Sequence, residues 1–197
     1  YTKYCDLNLS VLRIDEDLKY NTPGALNLGI ALSSTPWILI MDSDCLFEKD
    51  MMDRMMCLKT IPSWQYKFDR RRITDNPHWA KNERYLPCTI LFHKDTFITV
   101  NGFDEDYTGA RSGGYAFFDT DFDRKVLEAG FHCGRVPSEV YATEYMDDYI
   151  GPKIQRTKQD ESVNKALMYR KAKGEMPRNN QMMQFPWRRV FHARRNS

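Results

Sequence analysis

Hydrophobic and polar positions along the chain predict alternating strands and helices, an α/β pattern. Leu7-Asn-Leu-Ser-Val-Leu-Arg-Ile14 alternates partially and reads as a strand. Tyr20-Asn-Thr-Pro-Gly24 is turn chemistry, and Ala25 to Ser33 predicts a short helix with Leu26, Ile30 and Leu32 inward. Gly29 lies inside that helix, where Gly costs up to about 1 kcal/mol relative to Ala. It marks close packing, the approach of a ligand, or a Gly tolerated near a helix end. Trp37-Ile-Leu-Ile-Met41 is a short continuous apolar run, the pattern of a buried central strand. Lys49 to Leu58 is a Met-rich amphipathic helix, a core element in the first instance. From Pro62 to Lys81 aromatics mix with Arg, either a surface that stacks on sugars and bases or an ordinary loop or edge hairpin. Cys88 to Phe92 predicts a strand, followed by a short helix to Val100, and Asn101-Gly-Phe-Asp-Glu105 a turn. Thr108 to Gly114 reads as flexible. Phe122, Val126 and Leu127 predict a helix closed by Gly130, and Phe131 to Val136 a strand. Ser162 to Lys173 predicts a last helix with Val163, Ala166, Leu167 and Arg170 along it.

The apolar run at 37–41 stops at Asp42-Ser43-Asp44. Open α/β sheets place their ligands at the C-terminal ends of strands. Residues i and i+2 of an extended chain point the same way. Asp42 and Asp44 can therefore converge on one hard cation, or on a cation already held by a diphosphate. The alternative is a pair of solvated strand-end carboxylates. Asp119 falls at a predicted helix N-terminus, where the macrodipole favours a carboxylate, and a plain N-cap is the alternative there.

At 197 residues with 42% hydrophobic positions, the chain is long enough for one globular core. Its net charge of +2 conceals an asymmetry: 12 Lys and Arg stand against 3 Asp and Glu over 150–197, and 17 against 24 over the rest. The expected division is a body over 1–150 and a basic helical extension over 151–197. Such an extension attracts phosphate, an anionic membrane or nucleic acid, or is simply a solvated face. Five scattered cysteines with no C-x-x-C argue against a zinc site and a disulfide framework, which points to a reducing, cytoplasmic setting. No apolar run approaches the length of a membrane span. The chain opens on Tyr1, without a visible signal peptide, so a processed or truncated start is expected.

Four segments in order resemble the GT-A glycosyltransferases, most closely the family 2 type. They are Gly24-Ala-Leu-Asn-Leu-Gly29, Met41-Asp-Ser-Asp44, Asn101-Gly-Phe-Asp-Glu105 and Asp119-Thr-Asp-Phe122. The resemblance spans about residues 7 to 135. It implies a Rossmann-like, nucleotide-diphospho-sugar transferase fold, a mixed sheet flanked by helices, that begins after the family's first β-α-β unit. It implies Mn²⁺ or Mg²⁺ on Asp42 and Asp44, a nucleotide-diphosphate sugar donor, and a hydroxyl acceptor on a glycan, lipid or protein. Asp119 becomes the candidate general base, Asp121 the second, and Glu105 or Glu144 the reserves; Asn27 becomes a candidate nucleotide contact, with a turn or helix hydrogen-bonder as the alternative. The family's Glu before the Asp-x-Asp is Phe118 here, and its late metal-binding His has no counterpart, with Glu144 or His132 as substitutes. The basic end suggests a peripheral anionic-membrane contact; nucleic acid is not an expected partner. Two readings compete: an inactive sugar- or protein-binding module or fragment of a larger enzyme, and a haloacid dehalogenase-type phosphatase whose first Asp is a nucleophile.

Overall fold

The computed structural model describes residues 8–43, 45–73, 89–114, 116–145, 158–179 and 181–193. It is a mixed α/β structure with helices flanking mixed sheets. The chain divides into two units, one of Tyr1–Ser33, Phe103–Phe118 and Lys158–Ser197, the other of Ser34–Gly102 and Asp119–Thr157.

In the first unit, β1 (Leu9–Ile14) pairs antiparallel with β9 (Trp187–Ala193), with a register shift at Val11/Leu12. Helix α1 (Thr22–Leu32) starts with Pro near its N-terminus, where the missing N–H costs nothing. A Cβ on Gly24 would lie 2.4 Å from Asn21 Oδ1, so only Gly lets that side chain fold back beside the helix. Gly29, in contrast, is exposed with open space where its Cβ would be, so here it is merely tolerated. The helix buries Asn27, Leu28 and Ile30.

What holds this unit together is a run of three acids. Glu105 has no exposed surface, and its carboxylate accepts from Asn27 Nδ2 at 2.9 Å, Met183 N at 2.7 Å and Gln184 N at 3.1 Å. Asp104 accepts from Lys171 Nζ at 2.5 Å, and Asp106 from the same ammonium at 2.7 Å and from Asn179 Nδ2 at 2.9 Å. Burial by itself would raise the Asp106 carboxyl, but the Lys171 hydrogen bond and charge, with Asn179 and Arg111, hold it below the usual carboxylate range. Lys171 lies on α6 (Lys158–Ala172), whose expected apolar stripe is not the buried one: Val163 is exposed, while Asn164 and Lys171 are buried. Those two are seven residues apart and share a face, so this helix docks through polar groups. The stretch 108–114, expected to be flexible, holds a helical turn, α4 (Gly109–Ser112), closed by Gly113 at φ +72°.

In the second unit, four strands pair in the order β2 (Trp37–Ile40), β6 (Ile90–His93), β4 (Trp64–Lys67), β7 (His132–Arg135). Among the described strands β2 is an end strand, not the expected central one, and only Ile38 and Ile40 are fully buried. The basic-aromatic stretch forms β4 and then β5 (Asp69–Ile73). A second sheet follows in the order β3 (Cys45–Leu46), β8 (Tyr141–Tyr145), β5. Cys45, Phe47, Met51, Phe68, Leu91, Val136, Val140 and Ala142 make one core cluster. Helix α2 (Lys49–Met56) contributes Met51 to it and leaves Met56 exposed. Helix α3 (Lys94–Thr99) leads into Asn101 and Gly102 at φ +57° and +61°, left-handed positions that favour these two residue types. Lys125 of α5 (Phe118–Glu128) donates to Gly102 O at 2.5 Å, and Phe122 of the same helix packs its ring 5.5 Å from Phe92.

Lys171→Met should leave the fully buried Asp104 carboxylate without its cation. Removing one partner of such a pair costs about 3–5 kcal/mol, whereas Lys173→Met, on an exposed side chain, should stay within about 0.5 kcal/mol of the parent. Urea unfolding of the two variants checks this; equal midpoints would remove the lysine from the unit's support.

Candidate functional site

Asp42 sits two residues past the C-terminal end of β2, half-buried, in the elbow from which β3 leaves. The Cys45 N–H donates to Asp42 O at 3.1 Å, which closes the elbow as a tight turn. Asp44, the second carboxylate expected at this position, lies outside the described residues. β3 then pairs antiparallel with β8, with Glu144 opposite Cys45. By register, Glu144 thus comes back to the turn that carries Asp42.

His132 does not. β2 and β4 run parallel, since both are antiparallel to β6, and β7 is parallel to β4. His132 starts β7, so it lies at the opposite end of the strands from Asp42. Three strand spacings of about 4.8 Å separate β7 from β2, about 14 Å. Its ring packs against Trp64 at 5.2 Å. Of the two substitutes for a late metal-binding His, only Glu144 has a register that suits. Among the described residues, no group of three or more His, Cys, Asp or Glu side chains gathers as a metal cluster.

Asp119 lies in the first turn of α5, almost fully buried, and its Oδ1 accepts from Thr120 N at 2.8 Å. Asp121 is fully buried and receives Arg124 Nη2 at 2.6 Å. Two residues apart on a helix, the two carboxylates point about 200° apart and do not act on one point. Asp123, one turn beyond Asp119 on the same side, is bonded to Lys67 Nζ and to Gln65 Nε2 of β4. Lys67 and Ile40 both flank Ile90 in the ladder. The helix that carries Asp119 is therefore fastened at the C-terminal end of β4, level with the strand end that leads into Asp42.

Burial pushes the Asp123 carboxyl above the usual range, Lys67 and Gln65 pull it back only in part, and the negative charge of Asp119 adds to the rise. Asp123 also lines a cleft of about 270 Å³ with Lys67, Leu127, Cys133, Gly134 and Arg135. Burial, with Asp123 nearby, pushes the Cys133 thiol up as well, so it stays protonated and inert at neutral pH.

No protein-family model matches the chain, and neither does any curated protein. Two solved structures of a Drosophila enzyme resemble it. One is the catalytic domain of β-1,4-galactosyltransferase 7 in complex with xylobiose, at 16% identity and a TM-score of 0.47. The other is a mutant of that enzyme with manganese, UDP-Gal and xylobiose, at 16% identity and a TM-score of 0.48. Each match covers 76% of this chain and 62% of the neighbour, so the chain spans less than two thirds of either enzyme's length.

The remaining expected residues fall into structural tasks. Asn27 is fully enclosed: its Nδ2 donates to Phe103 O and Glu105 Oε1, and its Oδ1 accepts from Phe103 N at 2.8 Å. That pattern locks α1 to the Phe103 backbone. Glu105, a reserve base, is committed to three N–H donors. Phe118 packs its ring on Phe103 at 5.9 Å. Sequence reasoning passed over the Asp123–Lys67–Gln65 bridge. Its signal is the i, i+4 spacing of Asp119 and Asp123 together with alternation in β4, where Gln65 and Lys67 are the buried residues and Trp64 and Tyr66 the half-exposed ones.

A raised carboxyl binds protons more readily in the folded chain than in the unfolded one. Between the ordinary carboxylate value, about 4, and the raised one, Asp123 therefore lowers stability as pH rises. Asp123→Asn should flatten that fall in urea-unfolding midpoints measured from pH 4 upward. An unchanged slope would mean the side chain titrates as an ordinary carboxylate.

Proposed function

We propose that the chain is the acidic-motif portion of a GT-A glycosyltransferase, which moves a sugar from a nucleotide diphosphate to a hydroxyl acceptor with inversion. The observation that carries the reading is the elbow: Asp42 comes two residues after the C-terminal end of β2, and the chain turns there into a strand whose partner brings Glu144 back to that turn by register. The Asp-x-Asp motif, the Asn-Gly turn and the acidic first turn of α5 support it in sequence order. The 16%-identical neighbours lend their ligands only as candidates to test: manganese, a UDP-sugar and a glycan.

The donor set fits a hard cation in kind, because Asp42, Asp44 and Glu144 all offer carboxylate oxygens. Mn²⁺ or Mg²⁺ bound there supplies charge neutralisation for a departing diphosphate. Asp119 takes the proton of the acceptor hydroxyl as its oxygen attacks the anomeric carbon. A new C–O bond forms on the face opposite the one that breaks, and the nucleoside diphosphate leaves with the bonding electron pair. Asp121, paired with Arg124 inside the helix, holds the segment in place. The acceptor is a glycan, lipid or protein hydroxyl, and the basic C-terminal residues suit an anionic membrane nearby.

Two expectations test the assignment. A nucleotide sugar with Mn²⁺ should raise the melting temperature, because it binds the folded chain alone, and Asp42→Asn should abolish that rise with little change in unliganded stability. If no nucleotide sugar shifts melting, or if the chain releases inorganic phosphate from simple phosphate esters instead, the reading fails. Asp119→Asn should lower transfer about a hundredfold or more while the donor-induced melting shift stays as in the parent. Should Asp121→Asn, and not Asp119→Asn, stop turnover, the two roles exchange.

A further inference from the structure

Two consecutive residues without a glycine's freedom, Ala116 and Phe117, have φ of +65° and +66°. Left-handed backbone brings the Cβ of an L-residue against the following carbonyl oxygen, and it persists only where surrounding contacts impose it. The segment lies immediately before α5, whose second residue is Asp119. Its far side is fixed, because Phe118 is buried with its ring on Phe103. The restraint on its near side comes from α6. Asn164 has no exposed surface, and its Nδ2 divides two hydrogens between backbone carbonyls, Ala116 O at 2.9 Å and Tyr107 O at 3.1 Å. A buried amide directed at two carbonyls of separate loops is a device for fixing backbone direction, since a helix position that only packed would take an apolar residue.

We propose that Asn164 is a positioning residue for Asp119: it ties Ala116 O to Tyr107 O, forces the left-handed turn at 116–117, and so fixes the backbone that leads into the first turn of α5, where Asp119 lies. The inference rests on the reading of Asp119 as base in the proposed transfer. Asn164 touches no reacting atom in this scheme and acts through the backbone alone. A general base must meet its proton within hydrogen-bond reach, and a shift of about 1 Å can cost about a hundredfold in rate.

The test is a glycine rescue on the full chain. Asn164→Ala should lower kcat tenfold or more, leave the donor KM within about twofold, and speed hydrogen exchange at the Thr120 amide in the first turn of α5. Adding Ala116→Gly and Phe117→Gly should restore protection and most of the lost kcat, because glycine adopts positive φ without the Cβ clash. Asn164→Ala with unchanged kcat and unchanged exchange overturns the proposal, and so does a loss that the glycines fail to recover. If Asn164→Ala does not fold, Ala116→Gly and Ala116→Val answer the same question. Position 116 is half-exposed, so valine fits there but opposes the left-handed turn; equal kcat and equal Thr120 exchange for these two overturns the proposal. A parent chain that transfers no sugar removes the function reading, and the exchange measurements still decide whether Asn164 holds the turn.

Discussion

Burial of charge is the constraint on which the first unit depends. Asp104 and Glu105 are almost wholly out of water, and Asp106 is partly so. An isolated buried carboxylate is too costly to persist, so each must find donors in the fold. They find them in four remote places in sequence: Asn27 on α1, Lys171 on α6, Asn179, and the backbone N–H groups of Met183 and Gln184. Pairing therefore decides which parts of the chain assemble. This explains how the described part of the basic stretch is tied to its unit: Lys171 is a buried counter-ion, and the last described strand pairs with β1.

The second unit answers to a different constraint, chain reversal at a strand end. β2 delivers Asp42 past its last paired residue, and the Asp42 O to Cys45 N bond turns the chain back at once. A carboxylate in such an elbow lies beyond the ladder, where its oxygens are not competing with cross-strand pairing. The apolar core beneath, with Cys45, Phe47 and Met51 just after the elbow, fixes the turn from the inside. A mobile loop would not hold a carboxylate in one place; an elbow between two paired strands, with Cys45 anchored in the core, does.

Local signals were legible where backbone sterics act within a few residues. Asn101-Gly102 read as a turn and adopts left-handed angles at both positions; the Met-rich segment read as a helix and buries Met51. Periodicity failed where polar groups are the buried ones. On α6 the stripe through Val163 and Ala166 faces outward, because Asn164 and Lys171 have partners that only the folded chain supplies. The same reason left Asn27 open between a nucleotide contact and a structural hydrogen-bonder, and its bonds to the Phe103 backbone come from a residue 76 positions away. Hydrophobicity alone cannot show that a polar residue is inside, because the compensating hydrogen bond comes from a residue tens of positions away. Gly113 and Gly114 suggested mobility, yet Gly113 closes a helical turn.

The acidic start of α5 shows how one helix divides three carboxylates among different tasks. At 100° per residue, Asp119 and Asp123 fall near one another on one side and Asp121 falls on the other. Asp121 is closed off by Arg124 three residues on, an internal pair that neutralises a buried charge. Asp123 reaches outward to Lys67 and Gln65 and fastens the helix to β4. The electrostatic push of Asp119 on Asp123 shows that these two feel each other across one turn. Asp121 and Asp123 are thus both paired with cations that hold the helix together and in place. Asp119, bonded to the amide of its own first turn, sits where the positive end of the helix dipole favours a charged oxygen. A fixed helix with two anchored acids is what a third needs if it is to be presented at one angle, and the proposed base is that third residue.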